Sequence, residues 1–252
     1  MTTSLTLFRG SPATNTYVWS PFVTKLEARL RFEDVSYKLE VGSPKSAPRG
    51  KIPYIQLSGN EQFGDSTLII KQLVASDLLS DLNAKLPPTE RAQDLAIRAL
   101  LEEKLYFYTV REKWQDNYAT MRDGALAAVP WPIRIVVGWI AQSTLLRTLY
   151  GQGSGRLDDQ EISLLRSEIW DAVDELLLEA RQKLSGTGKE PFWFLGGALP
   201  TEADASLYGF ITGSLVCTAC PVSRDIVKSY PVLMDYVERI HDAYFPDYER
   251  WD

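Results

Sequence analysis

Lys51-Ile52-Pro53-Tyr54-Ile55, followed after a short turn by Gly64-Asp65-Ser66, constrains this chain more than any other segment. Proline has no N–H to give to a sheet ladder, so Pro53 restricts the apolar run to a strand start or a bend. An X-Pro bond in a tight turn is a candidate for the cis form, and a cis Ile52-Pro53 peptide would turn the N–H and C=O of Ile52 outward. Those two groups can pair with an extended peptide laid alongside, as an added strand would. Asp65 and Ser66 open the next helix, where they can hold the ammonium and carboxylate ends of such a ligand. The plainer alternative is that both residues only cap that helix.

The rest of the first third has a readable order. Leu5, Leu7 and Phe8 make a short strand ended by Gly10-Ser11-Pro12. Phe22, Leu26, Leu30 and Phe32 recur at near-helical spacing, which predicts an amphipathic helix over 20–33 with Ser20 as N-cap and Pro21 at N1. Residues 36–41 alternate as a second strand and 42–50 form a loop. Residues 53–57 and 61–63 pair across Ser58-Gly59-Asn60, and a helix from about Ser66 to Leu82 closes the unit. This β-α-β-loop-β-β-α order is thioredoxin-like. Leu86-Pro87-Pro88 reads as a linker, and helices are expected beyond it over 89–122, 131–150, 158–184, 201–217 and 231–243. Gly151–Gly155 and Gly186-Thr187-Gly188 mark breaks between them. The expected fold is a thioredoxin-like α/β domain over 1–84 followed by an all-helical domain over 89–252.

Composition narrows the partners. A formal charge of -6, without a basic run, weighs against nucleic acid. Two cysteines make no disulfide framework, so a reducing, cytoplasmic setting is expected. The N-terminus lacks the basic and apolar regions of a signal peptide. Gly124 to Ala141 is apolar, but Pro130, Pro132 and Arg134 interrupt it, which favours a buried or interfacial helix pair over a membrane span. A ligand wall or a membrane-touching lid are its other readings. Cys217-Thr218-Ala219-Cys220 falls late in a predicted helix and reads as two buried helix cysteines rather than a redox pair. A metal would need two more ligands and His241 is the only histidine, so no metal site is expected. His241 itself reads as a last-turn helix residue. Thr201-Glu202-Ala203-Asp204 has the pattern of a capping box that stabilises a helix start.

Three blocks resemble the glutathione S-transferase superfamily in order and spacing: Ser20-Pro21-Phe22-Val23-Thr24-Lys25, Lys51-Ile52-Pro53 with Asp65-Ser66, and Gly197 to Asp204. More narrowly, Ser20–Phe32, Leu149–Ile162 and Ser229–Asp247 resemble the metaxin and failed-axon-connections branch. The resemblance covers nearly the whole chain and implies glutathione as cofactor, held by Lys51, Ile52, Pro53, Asp65 and Ser66. Lys45, Arg49 and Lys51 form a small basic cluster that is either a holder of its glycine carboxylate or, as such clusters more often are, a solvated loop. Glutathione chemistry needs the thiolate, and a hydroxyl at the start of the first helix would stabilise it. Ser20 stands there, its plainer reading being an N-cap and nothing more, and Tyr17 is the second candidate, which reads more readily as a packed loop aromatic. The aromatic set Tyr106, Phe107, Trp114, Tyr118, Trp131 and Trp139 is either ordinary core or the wall of a pocket for a small hydrophobic co-substrate. The implied activity is thiolate addition to an apolar, conjugated electrophile. Its alternatives are a glutathione-dependent cis/trans isomerase of secondary metabolism and a non-catalytic scaffold with an exposed apolar patch over 124–141. A homodimer is what the superfamily suggests.

Overall fold

The computed structural model describes residues 5–184 and 188–251, so the expected break at Gly186-Thr187 lies outside the described residues. The first unit comprises β1 (Thr6–Phe8), α1 (Pro21–Arg31), β2 (Lys38–Glu40), β3 (Tyr54–Gln56), β4 (Gln62–Gly64) and α2 (Ser66–Ala75). Its sheet runs in the order β2-β1-β3-β4. β1 lies parallel to β2 with Leu7 opposite Leu39, and antiparallel to β3 with Leu7 opposite Ile55. Alternation puts Leu7 and Ile55 on the covered side, where Leu26 and Leu30 of α1 and Ile69 and Leu73 of α2 pack on them. This is the thioredoxin-like order with its own apolar core. α2 stops well short of Leu82. Asp77 takes a φ of 55°, and the N–H groups of Leu78 and Leu79 turn back onto the Leu73 carbonyl, dropping Leu79 into the core.

The remainder is helical. α3 (Pro88–Leu100) continues through a π-helical turn at Leu101–Leu105, α4 (Tyr106–Arg111) and a second π-helical turn at Glu112–Asp116. The run breaks at Asn117 before α5 (Tyr118–Ala125), so the helix expected over 89–122 is segmented. α6 (Trp131–Gln152), α7 (Asp159–Lys183), α8 (Glu202–Val216) and α10 (Pro231–Tyr244) match expected helices. α9 (Pro221–Lys228), started by Pro221 at N1, was not expected. α8 is buried from Glu202 to Leu215 and forms the centre of the second core, with Trp170 of α7 and Tyr236 of α10.

α1 rests directly on α8. A β-carbon on Gly209 would lie 2.4 Å from the Pro21 carbonyl oxygen, so only glycine permits this approach. Buried charges fasten the same contact: Arg29 Nε donates to Glu202 at 2.7 Å and Arg29 Nη2 donates to the Ser80 carbonyl.

Of the two readings of the apolar 124–141 segment, a buried or an interfacial helix pair, the buried one does not hold. α5 buries none of its residues, and α6 turns Trp131 (69% exposed), Ile133, Val136, Trp139 (64% exposed) and Ile140 outward. Among the described residues no single helix is long and apolar enough to cross a membrane.

Candidate active site

The loop after β1, the Ile52-Pro53 bend and the first turn of α2 meet at one end of the sheet. Gly10 leaves β1 with a φ of 80°, and a β-carbon there would sit 3.5 Å from Ile52, which brings the loop leading to Ser20 alongside that bend. The Ile52-Pro53 peptide is cis, as its sequence suggested. Ile52 lies two residues ahead of β3, outside the ladder, which begins at Tyr54 opposite Gly64. Lys25 ties α1 to α2. Its buried Nζ donates to Thr67 Oγ1 at 2.8 Å and to Glu102 at 2.7 Å, and Glu102 also accepts from Ser206 of α8. The two helix N-termini are thereby fixed relative to each other.

Ser20 has the extended backbone of an N-cap, and its carbonyl accepts from Val23 and Thr24. Its side chain makes no cap hydrogen bond and is half-buried. The hydroxyl therefore has no protein partner among the described residues, at the positive end of an eleven-residue helix whose first turn carries no acidic residue.

Asp65 is the N-cap of α2 and accepts from Leu68 N–H at 3.1 Å, so the capping role is real. Yet its φ of 79° with ψ of 116° is a costly conformation for a residue with a β-carbon, about 1–3 kcal/mol. The carboxylate itself is exposed. Ser66 follows as the first helical residue, buried to 4% exposure, and its hydroxyl too lacks a protein partner among the described residues. Lys45, Arg49 and Lys51 are all exposed on the preceding loop. The three are not equivalent: Arg49 lies along Gly64 and helps line a groove of about 590 Å³ with Phe63, Leu68 and Lys71 on the outer side of β4. Neither Ser20 nor Ile52 borders that groove.

Tyr17 does not serve as the alternative hydroxyl at the ligand end. It is buried, bonded to Tyr208 Oη at 2.5 Å and His241 Nδ1 at 2.7 Å, and ringed by Phe245, Tyr248 and Trp251. Burial pushes its phenol far above the ordinary range, outweighing the Tyr208 hydrogen bond. The chain around 241–251 folds back to form this cage, which the local sequence near Tyr17 gives no sign of. His241 is a last-turn residue as expected, but buried, and desolvation with Arg250 nearby lowers its pKa.

The aromatic set divides. Tyr106 packs on Phe22 with ring centroids 5.0 Å apart, two residues from Ser20, and Phe107 packs on Tyr106. Trp114 and Tyr118 pair at the start of α5, whereas Trp131 and Trp139 face outward on α6 and cannot wall a pocket beside Ser20. The Lys25–Thr67–Glu102 strut is the part that sequence reasoning missed. Lys25 stands in the Ser-Pro-aromatic block, but its partners lie 42 and 77 residues away. No cluster of metal-ligating side chains occurs among the described residues.

Residues 21–121 match the family described as glutathione S-transferase N-terminal domain. The chain is 28% identical over 249 residues to the isoprene-epoxide–glutathione S-transferase of Rhodococcus sp. (strain AD45), covering 95% of this chain and 99% of that protein. It is 27% identical to Failed axon connections of Drosophila melanogaster, covering 92% of this chain and 55% of that protein. Among solved structures, the fold is shared with beta-etherase LigF from Sphingobium sp. strain SYK-6, at a TM-score of 0.59, 16% identity and coverage of 97% and 98%. It is shared equally with glutathione transferase GSTFuA3 from Phanerochaete chrysosporium, at a TM-score of 0.57, 17% identity and coverage of 99% and 98%.

Proposed function

The chain belongs to the glutathione S-transferase superfamily, and on that premise we propose that it ionises bound glutathione at Ser20 and adds the thiolate to a small apolar electrophile. The observation that carries this reading is the Ser20 hydroxyl, unused by its own helix cap. An ordinary thiol near pKa ~8.5 is only a few per cent ionised at neutral pH. A hydroxyl hydrogen bond to the thiolate contributes about 1.5–3 kcal/mol, and the helix end about 0.3–1 kcal/mol. Together they lower the thiol pKa by roughly 1.3–2.9 pH units, enough to leave it largely ionised.

The remaining roles in this reading fall to the bend, the start of α2 and the loop before β3. Ile52 offers its backbone N–H and C=O to the extended tripeptide beside the cis bond. Asp65 takes the ammonium, and Ser66 with the start of α2 takes the adjacent carboxylate. Lys51 and Lys45, with Arg49 on the same loop, attract the far carboxylate. Tyr106, Phe107 and Phe22 form the apolar side for the co-substrate. The Rhodococcus relative is named for an epoxide, so epoxides join conjugated alkenes as first substrates to try. On an epoxide the thiolate opens the strained ring at carbon, and the resulting alkoxide takes up a proton.

A cis/trans isomerase would share the first step, then eliminate the thiol and return glutathione unconsumed. A scaffold role is the second reading, favoured by the exposed apolar face of α6. A homodimer and a cytoplasmic, secondary-metabolic setting accompany the enzyme reading. Calorimetric titration with reduced glutathione tests it: saturable binding, lost in D65A and weakened in S66A, supports the clamp. Absence of heat up to millimolar ligand points to the scaffold.

A further inference from the structure

The Cys217-Thr218-Ala219-Cys220 segment has no part in the chemistry above, and it lies just past the end of α8 rather than inside a helix. α8 ends at Val216 with Cys217 as its C-cap, and Cys220 is the N-cap of α9. Between them the chain makes a turn closed by Cys220 N–H donating to the Cys217 carbonyl at 3.1 Å. Such a four-residue turn brings its end α-carbons within about 7 Å, against the roughly 4.4–6.8 Å that a disulfide spans. Both thiols are free and buried in one small cluster with Ala219, covered by Trp19 and Met121.

A cation stands beside them. Lys113 is buried, and its ammonium donates to the Trp19 carbonyl at 3.0 Å while forming no ion pair with a carboxylate among the described residues. Its neighbour Glu112 is committed elsewhere, accepting from Val222 N–H, the Ser223 hydroxyl and Arg166 at 2.6 Å. A buried ammonium without a carboxylate partner is costly, and a Cys217 thiolate is the counter-charge at hand. Burial opposes the Lys113 charge, but Cys220 and Cys217 outweigh it and raise its pKa. Correspondingly, the Cys220 hydrogen bond, against burial and with help from Lys113, lowers the Cys217 thiol.

We infer that Cys217 and Cys220 are a redox-active dithiol, Cys217 attacking and Cys220 resolving, that small hydroperoxides close to an intramolecular disulfide. The Cys217 thiolate attacks a peroxide oxygen and the O–O bond breaks. This leaves a sulfenic acid, and the departing oxyanion takes up a proton as water or alcohol. Cys220 then attacks Cys217 Sγ, the S–O bond breaks, and hydroxide leaves with the Cys220 proton as water. Two thiols lose two electrons and the peroxide gains them. The oxidant must be small, because both sulfurs lie beneath Trp19 and Met121. The pair sits behind the start of α1: Gly213, one turn before Cys217, packs on Pro21, and the Lys113 bond holds Trp19, next to Ser20. The inference stands apart from the glutathione reading.

The test is intact-mass and thiol analysis of the native protein during titration with hydrogen peroxide. Both thiols are expected to disappear together with the loss of two hydrogens, reversibly with dithiothreitol. In C220S the reaction should stop at a sulfenic acid on Cys217, trapped by a dimedone probe, and C217S should leave Cys220 reduced. K113M should slow the first step by about threefold or more as the thiol returns toward its ordinary range, with K113R retaining most of the rate. Thiol loss only at the rate of global unfolding would overturn the inference, as would independent oxidation of the two sulfurs in wild type.

Discussion

At Ser20 the backbone adopts the N-cap conformation while the side chain leaves the cap unbonded. Losing a side chain that does cap a helix costs about 1 kcal/mol, so S20A separates the two roles. It should change stability by no more than about 0.5 kcal/mol in denaturant unfolding, while kcat/KM for conjugation falls about tenfold or more. Tyr17, three residues earlier, behaves in the opposite way. Y17F removes a hydroxyl shared by buried Tyr208 and His241, and should cost about 1–3 kcal/mol of stability with the bound thiol unaffected. The difference was not legible in the sequence. Both are hydroxyls near the start of a helix, and what separates them is the 241–251 segment folding over Tyr17. The cis bend at Ile52-Pro53 and the helix start at Asp65-Ser66, by contrast, were legible because proline chemistry and helix-start chemistry act within a few residues.

Among the elements, the α1–α8 contact positions Ser20. G209A would place a methyl 2.4 Å from the Pro21 carbonyl oxygen, which backbone movement alone can relieve. It should destabilise by about 1–3 kcal/mol and weaken glutathione binding through displacement of the α1 start, both measurable on one preparation. The start of α8 carries a pH signature. Asp204 is fully buried and accepts from Phe194 N–H, Thr201 N–H and the Tyr236 hydroxyl, yet burial outweighs these bonds and raises its pKa to about 6. An acid whose folded pKa is raised contributes stability that is full below its unfolded value near ~3.9 and lost as pH rises through the folded one. The stability advantage of wild type over D204N should therefore shrink between pH ~4 and ~7, read as the difference of two unfolding series. Thr201-x-x-Asp204 was readable as a cap because it is local. Its hold on Phe194 and on Tyr236 of α10 was not. The hold on the start of α9 escaped for a related reason: Glu112 accepts from the Val222 and Ser223 N–H groups, 110 and 111 residues along the chain.

For the molecule as a whole, two apolar cores are joined across α1, one face meeting the sheet and the other meeting α8. The order of elements was legible from periodicity and turn residues. The fastening was not, since Lys25–Glu102 and Arg29–Glu202 pair residues far apart in the chain. The apolar 124–141 segment left burial and exposure both open for the converse reason, because hydrophobicity alone does not say whether a face is covered, and on α6 it is open. What this architecture holds in place is one hydroxyl at a helix N-terminus, next to a bend and a helix start suited to an extended peptide. The most direct measurement is the ultraviolet thiolate titration of glutathione bound to wild type and to S20A. The expected result is a bound thiol lowered by about 1.3–2.9 pH units in wild type, returning by about 1–2 pH units in S20A. A bound thiol that titrates near ~8.5 in wild type, or a lowered value that S20A leaves unchanged, would contradict the assignment of Ser20.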